Sequence, residues 1–355
     1  MKNSIFKIKT KNIELLRTFV AITVSLAIVF LIILLISKDP GEAIYSFILG
    51  PLGSVRRFGS VIEQSIPLIF TGLSVILLQR AGFFNLAMEG AFFLAAAVAA
   101  AVILYFHCSV PVAMFAGAIA GGIVCAIPTV LKVKCNSNVL VTSLMLNYIC
   151  LYVGLYIIVG HFLDPKINTA FSYKFPDGSQ LTRLFSVTRI NTGIFIALGS
   201  VLIVWFINNK TSFGFKVTMI GKNSEFAKYA GMKIDSLVIL SSFIGGLFAG
   251  LGGTVDMFGM YTRFQYTGLT NYGWDGILIA ILAKQKAKYV PFAALFLAYM
   301  RVGADVMAMK SDIPSEMISI ITSVIIILVS AQSLLKRYKK KLIIRETKES
   351  EVVPC

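Results

Sequence analysis

The sequence predicts an all-α integral membrane protein: a polytopic bundle of about ten transmembrane helices with both termini in the cytoplasm. Three observations predict it. Of the 355 residues, 57% are hydrophobic and only 14% charged, whereas a soluble domain is roughly half apolar and a quarter charged. The apolar residues fall into runs long enough to cross a hydrocarbon core, which takes about 20 residues of helix. The gaps between those runs alternate between rich and poor in Lys and Arg, which is how membrane topology is written in sequence.

The predicted spans are 16–36, 61–78, 90–106, 110–131, 139–159, 193–207, 237–255, a short one at 272–282, then 289–306 and 317–335. The first could be mistaken for a signal peptide. It is too long for a typical apolar core of one, and no small-residue cleavage site follows, so it is expected to be a retained span. An even number of spans puts both ends on one side. That side receives Lys2, Lys7, Lys9, Lys11, Arg17, Arg80, Lys132 and Lys134. It also receives Lys210, Lys216, Lys222, Lys228, Lys233, Lys284, Lys286 and Lys288, and the run from Lys336 to Lys348. Together these are 23 of the 33 basic residues, so that side is read as the cytoplasm.

The domain reading follows. Residues 1–15 are a basic cytoplasmic N-terminus, 16–335 the membrane domain with a cytoplasmic loop at 208–235, and 336–355 a charged cytoplasmic tail. The outer segment 163–191 is the longest outer connection and reads as a polar loop, with Pro165, Pro176, Asp177 and Gly178 favouring turns. Segment 40–59 is semi-apolar, with Gly and Pro at both ends, and suits the interface better than a crossing.

Several function classes lose support here. The formal net charge of +16 lies in clusters between apolar runs and not on a nucleic-acid-binding face. Cys108, Cys125, Cys135, Cys150 and Cys355 show no CxxC and no metal-ligand spacing. The two histidines, His107 and His161, cannot form HExxH. Gly221-Lys222 is followed by Asn223, so no nucleotide-binding P-loop is present. Neither a catalytic set nor a metal site is predicted, and an intramembrane enzyme lacks a nucleophile. An ion-coupled secondary transporter would want ionisable groups at span centres, and no acidic residue is placed there with assurance.

Four segments carry chemistry. In RAGFFNLAMEG, residues 80–90, Asn85 and Glu89 would share one face if helical. A carboxylate at the start of a span must face water, protein or a partner. Glu89 is therefore either a helix tie or part of a pathway or gate. In NVLVTSLMLNY, residues 138–148, Thr142, Ser143 and Asn147 are either glue between helices or the lining of a polar route. In the cytoplasmic loop, 224–230 can form a short helix capped by Asn223 or Ser224 and ended by Gly231. Phe226, Ala227 and Ala230 would then give an apolar face for docking. In FIGGLFAGLGG, residues 243–253, Gly246 and Gly250 form a GxxxG pair for close helix packing. Asp256 and Asp275 are expected near the outer face, solvated or at a pathway mouth.

These segments resemble the permease family of ribose-type, branched-chain amino-acid and nucleoside ABC importers. They are most similar to the longer permease of guanosine-type nucleoside systems that use basic-membrane-lipoprotein receptors. RAGFFNLAMEGA resembles RAGxFNIGxEGQ, and NSNVLVTSLMLNYIC resembles NEVxxTLMLNYIA. GKNSEFAKYAGM resembles the coupling loop GxNxxAAxYAGI, and GWDGILIAILAK resembles GxDGIAVALLG. The resemblance covers 72–291. The chain departs from the pattern at Ala87, Ala91 and Asn138, and at Lys284 to Lys288, where a Gly-containing turn is usual.

The resemblance implies a multi-pass subunit of a prokaryotic plasma membrane, working by alternating access. Partners would be a cytoplasmic ABC ATPase, a second and different permease, and a substrate-binding lipoprotein. The chain would bind no cofactor, and ATP would be used by the ATPase. Nucleosides are the expected substrate, with simple sugars or other small polar solutes as the alternative. Asn85, Glu89, Ser143, Asn147, Asp256 and Asp275 would serve the pathway or gate. Gly221, Asn223, Phe226, Tyr229, Ala230 and Gly231 would couple to the ATPase.

Overall fold

A computed structural model describes Phe30, Leu34 and residues 39–311, apart from 168, 170, 177 and 186. The predicted spans 16–36 and 317–335 lie largely or wholly outside the described residues. The rest is all-helical among the described residues: α1 Pro40–Leu49, α2 Val55–Arg80, α3 Met88–Phe106, α4 Val110–Cys135, α5 Val139–Phe162, α6 Gly193–Lys210, α7 Ser212–Lys222, α8 Ser224–Tyr229, α9 Ile234–Met260, α10 Tyr272–Leu282 and α11 Val290–Lys310. Seven of these are long and apolar enough to span: α2, α3, α4, α5, α6, α9, and α11 with its preceding 3-10 turn. They correspond to seven of the predicted spans, each extended by a few residues. Helix is the natural form here because it satisfies every internal backbone group without water.

Ser54–Tyr299 forms one compact unit, and α1 with the second half of α11 belongs to another. In the latter, α1 has ten residues and is about 15 Å long, too short to cross. There Gly303 packs on the backbone of Phe47, and a Cβ on Gly50 would lie 2.6 Å from Val306.

In the larger unit, α2 is the central post, with 89% of its apolar window buried. Lipid tails are as apolar as leucine, so packing between spans relies on close approach. The sequence supplies it through small residues. On α3, Ala91, Ala95, Ala96, Ala97, Ala99 and Ala100 are all fully buried. On α9, Gly246 and Gly250 meet α4 backbone to backbone: a Cβ on Gly250 would stand 2.8 Å from the Gly117 carbonyl, and one on Gly121 2.7 Å from the Gly246 carbonyl.

Segment 163–192 is irregular in its described residues, with bridges Leu163–Ser172 and Arg183–Asn191. It folds down over the end of α9 and the chain that follows. Ser172 N donates to Phe264 O, Phe175 N to Thr262 O and Leu181 N to Phe258 O, at 2.9–3.2 Å. Arg263 and Asp164 add an ion pair at 3.3 Å. The sequence shows a polar loop; the structure shows a cover with Phe175 and Ile190 buried under it.

α10 is the eighth predicted span and is not a span. Its 11 residues reach about 16 Å, half a bilayer core. The other half is the non-helical segment 261–271, which turns back from the end of α9 into the bundle. Phe264 and Tyr266 stack against Phe93 of α3, at 5.8 and 6.1 Å between ring centres. Non-helical backbone at this depth is tolerated only where it is packed on protein or lines a cavity.

The α4–α9 contact makes a prediction. Gly121→Leu inserts a side chain where the two backbones meet and should cost about 1–3 kcal/mol. Thermal aggregation of the purified chain in detergent should begin at lower temperature. Gly199→Leu, on α6 with open space around it, should leave the onset unchanged.

Candidate functional site

Loop 81–87 enters the bundle before α3 begins, so Asn85 and Glu89 do not share a helical face as expected. Asn85 lies in the non-helical approach. Its Nδ2 donates to Cys125 O at 2.8 Å, and its Oδ1 accepts from Ala87 N at 3.0 Å. Asn147 of α5 clamps the start of α3 from outside: its Nδ2 donates to Leu86 O at 3.0 Å and its Oδ1 accepts from Gly90 N at 2.9 Å. Ser143 Oγ accepts from Leu86 N at 3.1 Å. Thr129 and Ser242 close the far side at 2.7 Å. A side chain on Gly90 would collide with Asn147, so only glycine fits this junction.

Glu89 points the other way, to α10. Its Oε1 accepts from Asn271 N at 2.6 Å and Thr270 Oγ1 at 3.3 Å, and its Oε2 accepts from Gly273 N at 2.5 Å. These are donors at the N-terminus of the half-helix, where unpaired N–H groups and the helix dipole favour an anion. Gly273 allows the approach, since a Cβ there would lie 2.7 Å from Glu89 Oε2. Asn271, with φ of 64°, makes the turn into the helix.

Asp256 and Asp275 depart from expectation. Both are buried and neither is solvated. Asp256 accepts a hydrogen bond from the Tyr266 hydroxyl, which pins segment 261–271 to α9. Asp275 sits in the first turn of α10, within electrostatic range of Glu89, in the interior of the bundle.

Segment 208–235 forms α7 and α8. Asn223 caps α8, its side chain accepting from Phe226 N at 3.0 Å. Gly231, with φ of 72°, ends it. The expected apolar face is divided. Ala227 is buried against Ala81, Val217, Ile220 and Val238, which fixes the helix to the bundle. Phe226 at 52% and Tyr229 at 88% exposure project outward. Gly221 packs on the Arg80 carbonyl, and Gly82, with φ of 85°, stands against Gly221. The end of α7 thus touches the loop that leads into Asn85 and Glu89.

One feature escaped the sequence reading. Tyr148, Tyr152 and Tyr156 recur every four residues on α5 and are 60%, 68% and 70% exposed. Tyr148 and Tyr152 flank the middle of this 24-residue helix. Tyrosine belongs at membrane interfaces, where its hydroxyl finds water. A mid-span hydroxyl aimed at hydrocarbon would lack a partner. The i, i+4, i+8 spacing was readable in the sequence, but the direction of the face was not.

A bundle of apolar spans with a re-entrant half-helix and a displayed helix pair defines a multi-pass membrane protein. Residues 58–330 match the branched-chain amino acid transport system permease component family, and the chain belongs to that family. It is 32% identical to a guanosine ABC transporter permease of Bacillus subtilis, over 90% of this chain and 93% of the relative. It is 29% identical to a glucose ABC transporter permease of Haloferax volcanii, over 86% and 84%. A nucleoside ABC transporter permease of Lactococcus lactis is 26% identical over 92% and 93%.

The carboxylate at the head of α10 is open to a direct test. Glu89→Ala should leave the amides of Asn271 and Gly273 without their acceptor, at about 1–3 kcal/mol each. Hydrogen exchange at 271–275 should accelerate, while Asp256→Asn should not speed it there. Unaltered exchange at those amides in Glu89→Ala would mean the half-helix is held by something else.

Proposed function

We propose that this chain forms one side of the translocation path of an ATP-driven nucleoside importer. The observation that carries the reading is the tyrosine face of α5. Stacking of an aromatic base on such side chains is worth about 1–3 kcal/mol per base. A ladder of three offers successive platforms across the membrane, with hydroxyls for ribose. The nucleoside permeases among the relatives support the substrate class. The glucose permease keeps sugars as the second reading, because sugar rings also stack on tyrosine.

In this reading both termini are cytoplasmic, in a prokaryotic plasma membrane, and the α5 face meets a second permease across the path. A lipoprotein receptor delivers substrate outside. An ATPase docks on Phe226 and Tyr229, and ATP is used there. Closure of the ATPase dimer moves α7 and α8. Through the Gly221–Gly82 contact the motion reaches loop 81–87 and Glu89, and so the half-helix.

The experiment is uptake of radiolabelled guanosine, uridine and glucose by cells expressing the chain with its neighbouring ATPase, permease and lipoprotein. Nucleoside uptake that vanishes when the ATPase's catalytic Glu is replaced is the expected outcome. Glucose uptake alone would change the substrate, and uptake that survives ATPase inactivation would point to an ion-coupled transporter. Tyr152→Ala should raise the half-saturating nucleoside concentration by about tenfold or more, and Tyr152→Phe by less. Gly231→Pro, imposing a negative φ on a left-handed position, should abolish uptake with the protein still in the membrane.

A further inference from the structure

A cavity of about 730 Å³ opens at the cytoplasmic end of the larger unit, between the ends of α2 and α6, α7 and the turn after α10. Its chemistry is one-sided. Arg80, Lys284, Lys286 and Lys288 line it, and no carboxylate does. Arg80 is held in place: its Nε donates to Thr218 at 2.7 Å and an Nη to Asn208 O at 3.2 Å, leaving further N–H donors of the guanidinium. The turn that carries the lysines is tied to α2 by Gln285, whose side chain donates to Gln79 at 3.0 Å. Lys288 lies over the Tyr289 ring at 4.7 Å.

A second observation points to a ligand. Asn208 lines the cavity and is only 6% exposed, and its side-chain Nδ2 has no hydrogen-bond partner among the described residues. A buried unpaired amide donor is costly, at about 1–3 kcal/mol. Four cations and an unpaired donor around a void of this size ask for an anion with several acceptor oxygens. A phosphate group has that chemistry.

The surroundings say where the phosphate comes from. Trp205 stands at the lip on α6 beside Leu202 and Phe206, which are 67% and 55% exposed. Across the cavity, Phe292 follows the lysine turn on α11 and is 71% exposed. Both flanks of the mouth are hydrocarbon-facing helix. A ligand held here has its anionic head among the lysines and an apolar body along α6 and α11. Basic pockets between spans on the cytoplasmic side hold lipid headgroups in this way.

We propose that this cavity is a binding site for the phosphate headgroup of an anionic membrane phospholipid. The bound lipid bridges α2, α6 and the turn before α11, next to the loop that leads to Glu89. Membranes rich in such lipid thereby stabilise the arrangement in which α7 and loop 81–87 are seated.

The test uses the full-length chain in nanodiscs of an equal mixture of phosphatidylglycerol and phosphatidylethanolamine, with retained lipid read by native mass spectrometry after release into detergent. The wild type should keep phosphatidylglycerol in preference. Lys286→Gln with Lys288→Gln should weaken that preference by about fivefold for each lysine removed. Lys134→Gln with Lys222→Gln, an equal charge change outside the cavity, should not. Equal retention of the two lipids by the wild type, or an unchanged preference in the first variant, overturns the proposal. Displacement of the lipid by millimolar inorganic phosphate would assign the site to a soluble anion and overturn the lipid. A photo-crosslinker at position 286 should capture lipid in cells; capture of the ATPase instead would make the cavity a protein interface and overturn it equally. None of these readouts requires transport, so they stand apart from the importer reading.

Discussion

The carboxylate of Glu89 at the head of α10 is the interaction on which the interior of this protein depends. A helix of 11 residues that starts inside an apolar bundle leaves its first N–H groups with no water to turn to. Glu89 accepts from two of them and places negative charge on the positive end of the helix dipole. The break in the chain at Asn271 is tolerable because of that pairing. Glu89 is itself held by its place in the first turn of α3, and that turn is clamped by Asn147 and Ser143 of α5. Two broken elements, the approach 81–87 and the segment 261–271, therefore share one polar knot inside an otherwise apolar core.

The knot also explains the division of glycines. On α4 and α9 they let two backbones touch along their length, which is what packing in lipid requires. At Gly90 and Gly273 they let a side-chain amide and a carboxylate reach backbone groups. At Gly82 and Gly221 they join the knot's approach loop to the end of α7. The third set joins the displayed helix pair to the buried carboxylate through one packing contact, Gly221 on Gly82, and the run 82–88 that follows it. Contiguity of packed elements is the physical condition for a motion at one to be felt at the other.

Much of this was legible in the sequence. Seven spans followed from run length, because hydropathy is set by the solvent and the solvent is lipid. The cap at Asn223 and the stop at Gly231 followed from local backbone chemistry, and both residues do those jobs. Asn85, Glu89, Ser143 and Asn147 stood out as polar residues in apolar runs, and the structure brings all four to one place. Their partners were not legible. Glu89 pairs with residues more than 180 positions away, and no spacing in one chain encodes that. The burial of Asp275 was not legible, because a backbone such as 261–271 that dips inward and returns has no hydropathy signature of its own. Ala227 was assigned to a docking face because periodicity finds apolar residues without saying which side of a six-residue helix the bundle occupies.

Two helices with outward faces differ in their chemistry. On α6 the exposed residues Phe195, Leu198, Leu202, Ile203 and Phe206 are hydrocarbon, with Trp205 beside them near the helix end, and that face suits acyl chains. On α5 the exposed face mixes Met145, Ile149 and Val153 with Tyr148, Tyr152 and Tyr156, and the tyrosine hydroxyls at mid-span do not suit acyl chains. Both helices are among the least buried of the described spans, so exposure alone does not distinguish them. Their chemistry does. A face that needs hydrogen-bond partners halfway across a membrane must meet protein or water, and a transport path bounded by a second subunit supplies both. In the importer proposed above, the path would lie on the tyrosine side of the bundle, and lipid would lie along α6 with its headgroups at the lysine turn.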